Sequence, residues 1–297
     1  MPVQKSSCDP SDGHAAGGEA ASAAAGGRSL DLGTQLPSAG HWFARAWPQA
    51  GEATVSYVPT GGGDESPSAW SVLEEQERRA KNHERATRRA VGVTRRYMVS
   101  NRLRYMWVLT FADCLQGVDG RAECMRRVAA FAERFTAVTG RQAYWYSPEL
   151  HPGGHGWHVN FFVGRRVPHD KVEALWGHGF VWVKDWATDS RIKSMNAPLI
   201  VAIRLGATYG CKYASKDWGE DVLVDGAHRY EVAQGFQPDE HAERFATLAE
   251  AWAMVHGAFA GCVPERVWSS DEAEDWDAPP VYCFTFSDGL EDRLPGG

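Results

Sequence analysis

At 297 residues, 43% of them hydrophobic, the chain can form one large domain or two small ones around its own core. Six cysteines scattered without a Cys-x-x-Cys pair argue against a zinc module and a secreted disulfide framework, and point to a reducing cytoplasm. The net charge of −7 conceals a basic segment, Arg78–Arg104, with ten Lys/Arg against one Glu; it can hold a polyphosphate because at physiological salt a charge acts over only ~8 Å.

Residues 11–40 contain 19 Gly, Ala or Ser among 30 with no apolar period. With Gly61-Gly-Gly63 they suggest a disordered leader over 1–69, and order is expected to begin near Trp70. The start, Met1–Lys5, leads into small polar residues rather than a signal-peptide core, and no run approaches the ~18 apolar residues of a membrane span. Neither export nor a membrane is expected. The basic segment, 70–104, reads as helix, because Glu74, Glu75 and Glu77 precede Arg78, Arg79 and Lys81 in the order that suits the helix dipole.

Tyr105–Phe111 is apolar and β-branched, a buried strand. Cys124, Val128, Phe131, Phe135 and Val138 then mark an amphipathic helix that ends at Gly140. Further strands follow at Gln142–Glu149, Trp157–Val163 and Gly179–Lys184, with a short helix over Pro168–Trp176. Ala197–Trp218 is the last long helix. Strands separated by helices, with a hairpin around Gly153, predict an α+β fold in which helices flank a mostly antiparallel sheet over 105–225. Residues 226–262 are expected to form a helical extension. The last stretch, 263–297, reads as an acidic tail, with eight acidic residues against one Arg from Asp271 onward. Trp107 and Trp182 are both assigned to the core.

Two clusters carry chemistry. On the last long helix Tyr209 and Tyr213 stand four apart on one face, and Lys212 and Lys216 form a second such pair beside them. Phenols next to ammonium groups suit chemistry on a phosphate. The second cluster is Glu149-Leu-His151-Pro-Gly-Gly-His155-Gly-Trp-His158-Val-Asn160. Strand alternation points His158 and Asn160 the same way, and Glu149 can reach them across the hairpin. Imidazole with oxygen ligands suits Mg²⁺ or Mn²⁺. On strand alternation, His155 is three residues from His158 and faces away from it.

The strand ending Leu-Thr-Phe111, the His158-Val-Asn160 strand and Tyr209-x-x-x-Tyr213-x-x-Lys216 resemble, in that order, the three motifs of HUH endonucleases. The likeness spans roughly 85–240 and is greatest to rolling-circle replication initiators of the plasmid and phage type, including actinobacterial ones, whose third motif has the form Lys-Tyr-x-x-Lys. It implies an HUH-type (ferredoxin- or RRM-like) sheet and metal-dependent nicking and joining of DNA through a 5′-phosphotyrosine. Tyr213 is then the first nucleophile, Tyr209 the second, and Lys212 and Lys216 hold phosphates. The implied metal ligands are His158 and Asn160 with Glu149 and His151. Asn160 stands where the family has a second histidine, which predicts weaker metal binding or help from Glu149 and His151.

The implied partners are single-stranded DNA, the origin duplex and a host helicase, with no small-molecule cofactor, in a bacterial cytoplasm. Arg88, Arg89, Arg95, Arg96, Arg102 and Arg104 are the expected phosphate contacts. A non-catalytic nucleic-acid-binding domain of the same architecture is the alternative from another class, and an HUH transposase or relaxase the alternative within this one.

Overall fold

The strand β5 (Trp157–Val163) organises the part of the molecule that matters here, because both of its faces are covered. The computed structural model describes residues 39–60, 72–151, 153, 155–216, 229–273, 278–287 and 290, without side chains for 72–81, 83 and 212–216. Within these residues the fold is α+β, with two five-stranded sheets in which every pairing is antiparallel.

In chain order the elements are β1 (Gly40–Trp47), β2 (Glu52–Pro59), α1 (Val72–Ser100), β3 (Tyr105–Leu109), α2 (Gly117–Thr139), β4 (Tyr144–Leu150), β5, α3 (His169–Trp176), β6 (Val181–Asp185), α4 (Ser190–Met195), α5 (Leu199–Lys216), β7 (Glu231–Val232), β8 (His241–Phe245), α6 (Leu248–Ala258), β9 (Arg266–Ser269) and β10 (Val281–Thr285). One sheet runs β6-β3-β5-β4-β7 and the other β8-β1-β2-β10-β9.

Period-two alternation divides the β5 sheet into two chemically different faces. Trp107, Leu109, Val159, Phe161, Val163 and Val181 face α2 and α3, where Val128, Phe131, Phe135 and Trp176 complete a buried cluster. Trp107 stacks on Phe161 at 5.9 Å and meets Phe135 edge-on at 5.3 Å. Met106, Trp145 and Phe162 face the other way, into a core shared with α1, α5 and the second sheet. Helix α5 approaches this face through two glycines. A Cβ on Gly206 would stand 2.7 Å from the Trp186 ring, and one on Gly210 would stand 3.2 Å from Phe162 and 3.3 Å from Trp145.

The second sheet corrects three expected boundaries. Strands β1 and β2 lie inside the expected leader and form a hairpin through Gly51, whose φ of 65° suits glycine. Three of their inward positions are held by Ala44, Ala46 and Ala53, too small to carry an apolar signal, beside Trp42, Val55 and Tyr57. Residues 1–38 lie outside the described residues. The expected helical extension contains β7 and β8 ahead of α6, whose Thr247 and Glu250 form a reciprocal capping box. The expected acidic tail contributes β9 and β10, with Tyr282, Phe284 and Phe286 buried. Its charge count concealed the alternation Tyr282, Phe284, Phe286, and β10 pairs with β2, more than 200 residues earlier in the chain.

Among the described residues no helix is long and apolar enough to cross a membrane. Gly206→Ala is expected to lower unfolding free energy by about 1–3 kcal/mol, because the buried Trp186 ring has nowhere to retreat. Gly257→Ala in α6, with nothing within 4 Å of its Cβ, should instead gain up to ~1 kcal/mol from helix propensity. Urea unfolding of the two variants measures the difference in sign.

Candidate functional site

Cross-strand register builds the site. Glu149 on β4 lies opposite His158 on β5, and Ser147 lies opposite Asn160, so all four project from the α5 face of the sheet. The Asn160 amide N–H donates to Glu149 Oε2 at 2.7 Å, and His158 Nε2 lies 3.1 Å from the same oxygen. Asn160 and Glu149 are buried, at 2% and 7% exposure, while His158 is half-buried. A buried carboxylate is costly without partners, and these two hydrogen bonds compensate it. Ser147 Oγ donates to the Arg229 carbonyl at 3.1 Å, fixing the chain that follows α5 against β4.

Two of the expected metal ligands, His158 and Glu149, meet directly, in the 3.1 Å hydrogen bond between Nε2 and Oε2. Asn160 meets Glu149 through its amide nitrogen; its carbonyl oxygen is the ligand-capable atom. Among the described residues no group of three or more His, Cys, Asp or Glu is arranged to hold a metal ion.

His151 is placed at the rim. Its ring centroid is 6.0 Å from that of His158, and its Nδ1 accepts the Gly153 backbone N–H at 3.0 Å. Partial burial, then the neighbouring His158 and His155, push its pKa below the usual histidine value. His155, set aside on strand alternation, joins the group: its ring is 4.9 Å from that of His151. His155 lies in the turn before β5, which begins at Trp157.

Helix α5 carries the tyrosines over the same face. Tyr209 packs on Trp186 with ring centroids 5.2 Å apart, and Lys184 Nζ lies 3.9 Å from the Trp186 ring centre. The helix ends at Lys216, so Lys212, Tyr213 and Lys216 occupy its last turns, three to six residues past Gly210 where the backbone meets Phe162 and Trp145. Their side chains lie outside the described residues. Cys211, between them, is buried, and its thiol pKa is pushed up to about 12 by burial.

The structure gives four of the six expected phosphate-binding arginines another task. Arg95 makes a two-pronged pair with Glu52 at 2.7 and 2.9 Å, and Arg96 lies over the Trp47 ring at 3.9 Å. Arg104 pairs with Asp185 through two bonds, and Arg102 donates to the Gln49, Val99 and Leu290 carbonyls. These contacts tie α1 and the start of β3 to both sheets. Arg88, paired with Glu84, and Arg89 stand exposed on α1.

Comparison with protein-family models, with curated proteins and with solved structures found no match. The Glu149–Asn160 pair makes a measurable claim by itself. Glu149→Leu leaves the buried amide without its acceptor and should cost about 1–3 kcal/mol, whereas the double replacement with Asn160→Leu should cost less than the sum of the two single ones. A double-mutant cycle by urea unfolding reads that coupling.

Proposed function

We propose that the protein is an HUH-type DNA nickase and strand transferase that starts rolling-circle replication. The observation that carries this reading is one of placement: α5, which carries Tyr209 and ends in the Tyr213 turn, packs through Trp186, Phe162 and Trp145 on the same face of the sheet from which Glu149, His158 and Asn160 project. A nucleophile-bearing helix on the sheet face that also carries a polar cluster, here on β4 and β5, is the arrangement that the resemblance to HUH endonucleases implies.

In this reading the Tyr213 phenol oxygen attacks the scissile phosphorus. The bond from phosphorus to the 3′ oxygen breaks, the phenol proton is given up, and the leaving oxygen takes a proton. The products are a 5′-phosphotyrosine and a free 3′-hydroxyl that primes synthesis. Resealing by the reverse transfer needs no nucleotide, because the phosphodiester energy is kept in the covalent link. Mg²⁺ or Mn²⁺, bound at His158 and Glu149 with the Asn160 carbonyl, would supply positive charge to polarise a phosphate oxygen. Glu149 acts as the positioning residue, since its Oε2 holds both the imidazole and the amide. Lys212 and Lys216 balance phosphate charge, Tyr209 accepts the second transfer, and Arg88 and Arg89 supply phosphate contacts on α1. Origin duplex DNA and a host helicase are the partners this reading implies.

Denaturing gels of the protein incubated with Mn²⁺ and labelled single-stranded oligonucleotides should show a protein–DNA adduct. The oligonucleotides are tiled from the DNA around its own coding sequence. Tyr213→Phe is expected to abolish that adduct, and Tyr209→Phe to keep cleavage while lowering joining at least tenfold. Binding with no adduct on any oligonucleotide favours the non-catalytic binding domain.

A further inference from the structure

Strand β6 is an edge strand of the β5 sheet and presents a strip of large aromatic surface to solvent. Phe180 is 83% exposed and Trp182, assigned from the sequence to the core, is 55% exposed. The strand is nonetheless well anchored. Val181, between them, is 7% exposed and packs with the cluster under α2 and α3, and the Phe180 carbonyl accepts the Thr110 backbone N–H at 3.0 Å. Alternation places Trp182 and Lys184 together on the opposite face, the one that carries the site; Phe180 stands just before the strand, its backbone N–H donating to Thr110 Oγ1 at 2.9 Å. Two large exposed aromatic rings, one on an anchored edge strand and one just before it, form an apolar patch open to a ligand.

Register connects the strip to the site. Trp182 pairs with Val108, which pairs with Asn160, so the three form one row across the sheet. Phe180 and Thr110 continue beyond that row, past the end of the β3–β5 pairing at Leu109 and Val159. Two strand spacings of ~4.8 Å put Trp182 about 10 Å from Asn160. The adjoining end of β6 continues the strip: Lys184 lies over Trp186, and Trp186 meets Tyr209 of α5.

We propose that Phe180 and Trp182 form a stacking platform for unpaired nucleobases, which holds the strand beside the cleaved phosphate. The proposal rests on the nickase reading for its substrate. Two features favour bases over another protein surface. Phe180 and Trp182 are two residues apart, at most ~7 Å along the chain, which gives each room to take its own base. The strip also shares a row with the cluster proposed to hold the scissile phosphate. Every base has a π-face, so the platform orders single strands without reading their sequence and excludes paired DNA, whose bases are already stacked.

Fluorescence anisotropy with labelled oligothymidylate at fixed salt tests it. Trp182→Ala and Phe180→Ala should each weaken binding roughly tenfold, with Trp182→Phe retaining most of the affinity. Both side chains are exposed, so both variants are expected to fold, with unchanged melting temperature as the control. The salt dependence should keep its slope, because no phosphate contact is lost, and an abasic strand of the same length should bind wild type and variants equally. Unchanged affinity in Trp182→Ala, or an equal loss on the abasic strand, overturns the platform. So does a wild-type dimer that Trp182→Ala makes monomeric with oligonucleotide affinity unchanged, since the strip then binds a second copy of the chain. The nickase reading fails separately: loss of binding in Trp182→Ala, with no tyrosyl adduct from wild type, supports the platform and rejects the chemistry. An adduct with unaltered Trp182→Ala binding does the reverse.

Discussion

The close approach of α5 to the β5 sheet is the constraint on which the rest of the structure depends. Helices usually pack with side chains between them and their neighbours, at 8–10 Å between helix axes. Here Gly206 and Gly210 remove two side chains from the interface, and the helix backbone comes down onto Trp186, Phe162 and Trp145. Those three rings are fully buried and belong to the core that both sheets share. A bulkier residue at either glycine would lift the last turns of α5, and the tyrosines with them, away from the strands that hold Glu149, His158 and Asn160.

The polar cluster follows a second constraint, the cost of burying charge. Glu149 is almost wholly removed from water, and its Oε2 is the meeting point for Asn160 and His158. An amide at 160 can donate to the carboxylate whatever the protonation state, whereas an imidazole there would need the right tautomer. Asn160 therefore has a structural task, tying β5 to β4, that explains its presence as well as a ligand role would. The arginines of α1 show the same economy. Four of six groups that look like an electrostatic surface in the sequence are bound to Glu52, Asp185, an aromatic ring or backbone carbonyls.

Much of the β5 sheet and its helices was legible in the sequence because local periodicity encodes them. The steps of three and four from Cys124 to Phe135 fall on the buried face of α2, and the strands from Tyr105, Tyr144 and Trp157 appear with small shifts at their ends. The likeness of Glu149, His158 and Asn160 to a convergent cluster was legible too, through alternation and the hairpin. The place of His155 beside His151 was not, because it lies in a turn to which strand alternation does not apply. Trp182 was assigned inward since large aromatics usually are; an edge strand with one neighbour leaves half its environment to solvent.

By itself the sequence determined the α+β class, the order of the elements between 72 and 216 and the residue types available for phosphate chemistry, because each depends on neighbours within a few positions along the chain. Only the tertiary structure decided that 40–59 and 266–285 form one sheet, that most of the α1 arginines are held within the chain, and that Phe180 and Trp182 face water, Trp182 in a row of the site. Those outcomes depend on pairings between residues as far apart as Ser56 and Val281, and no local pattern records which distant strand or charge a residue will meet.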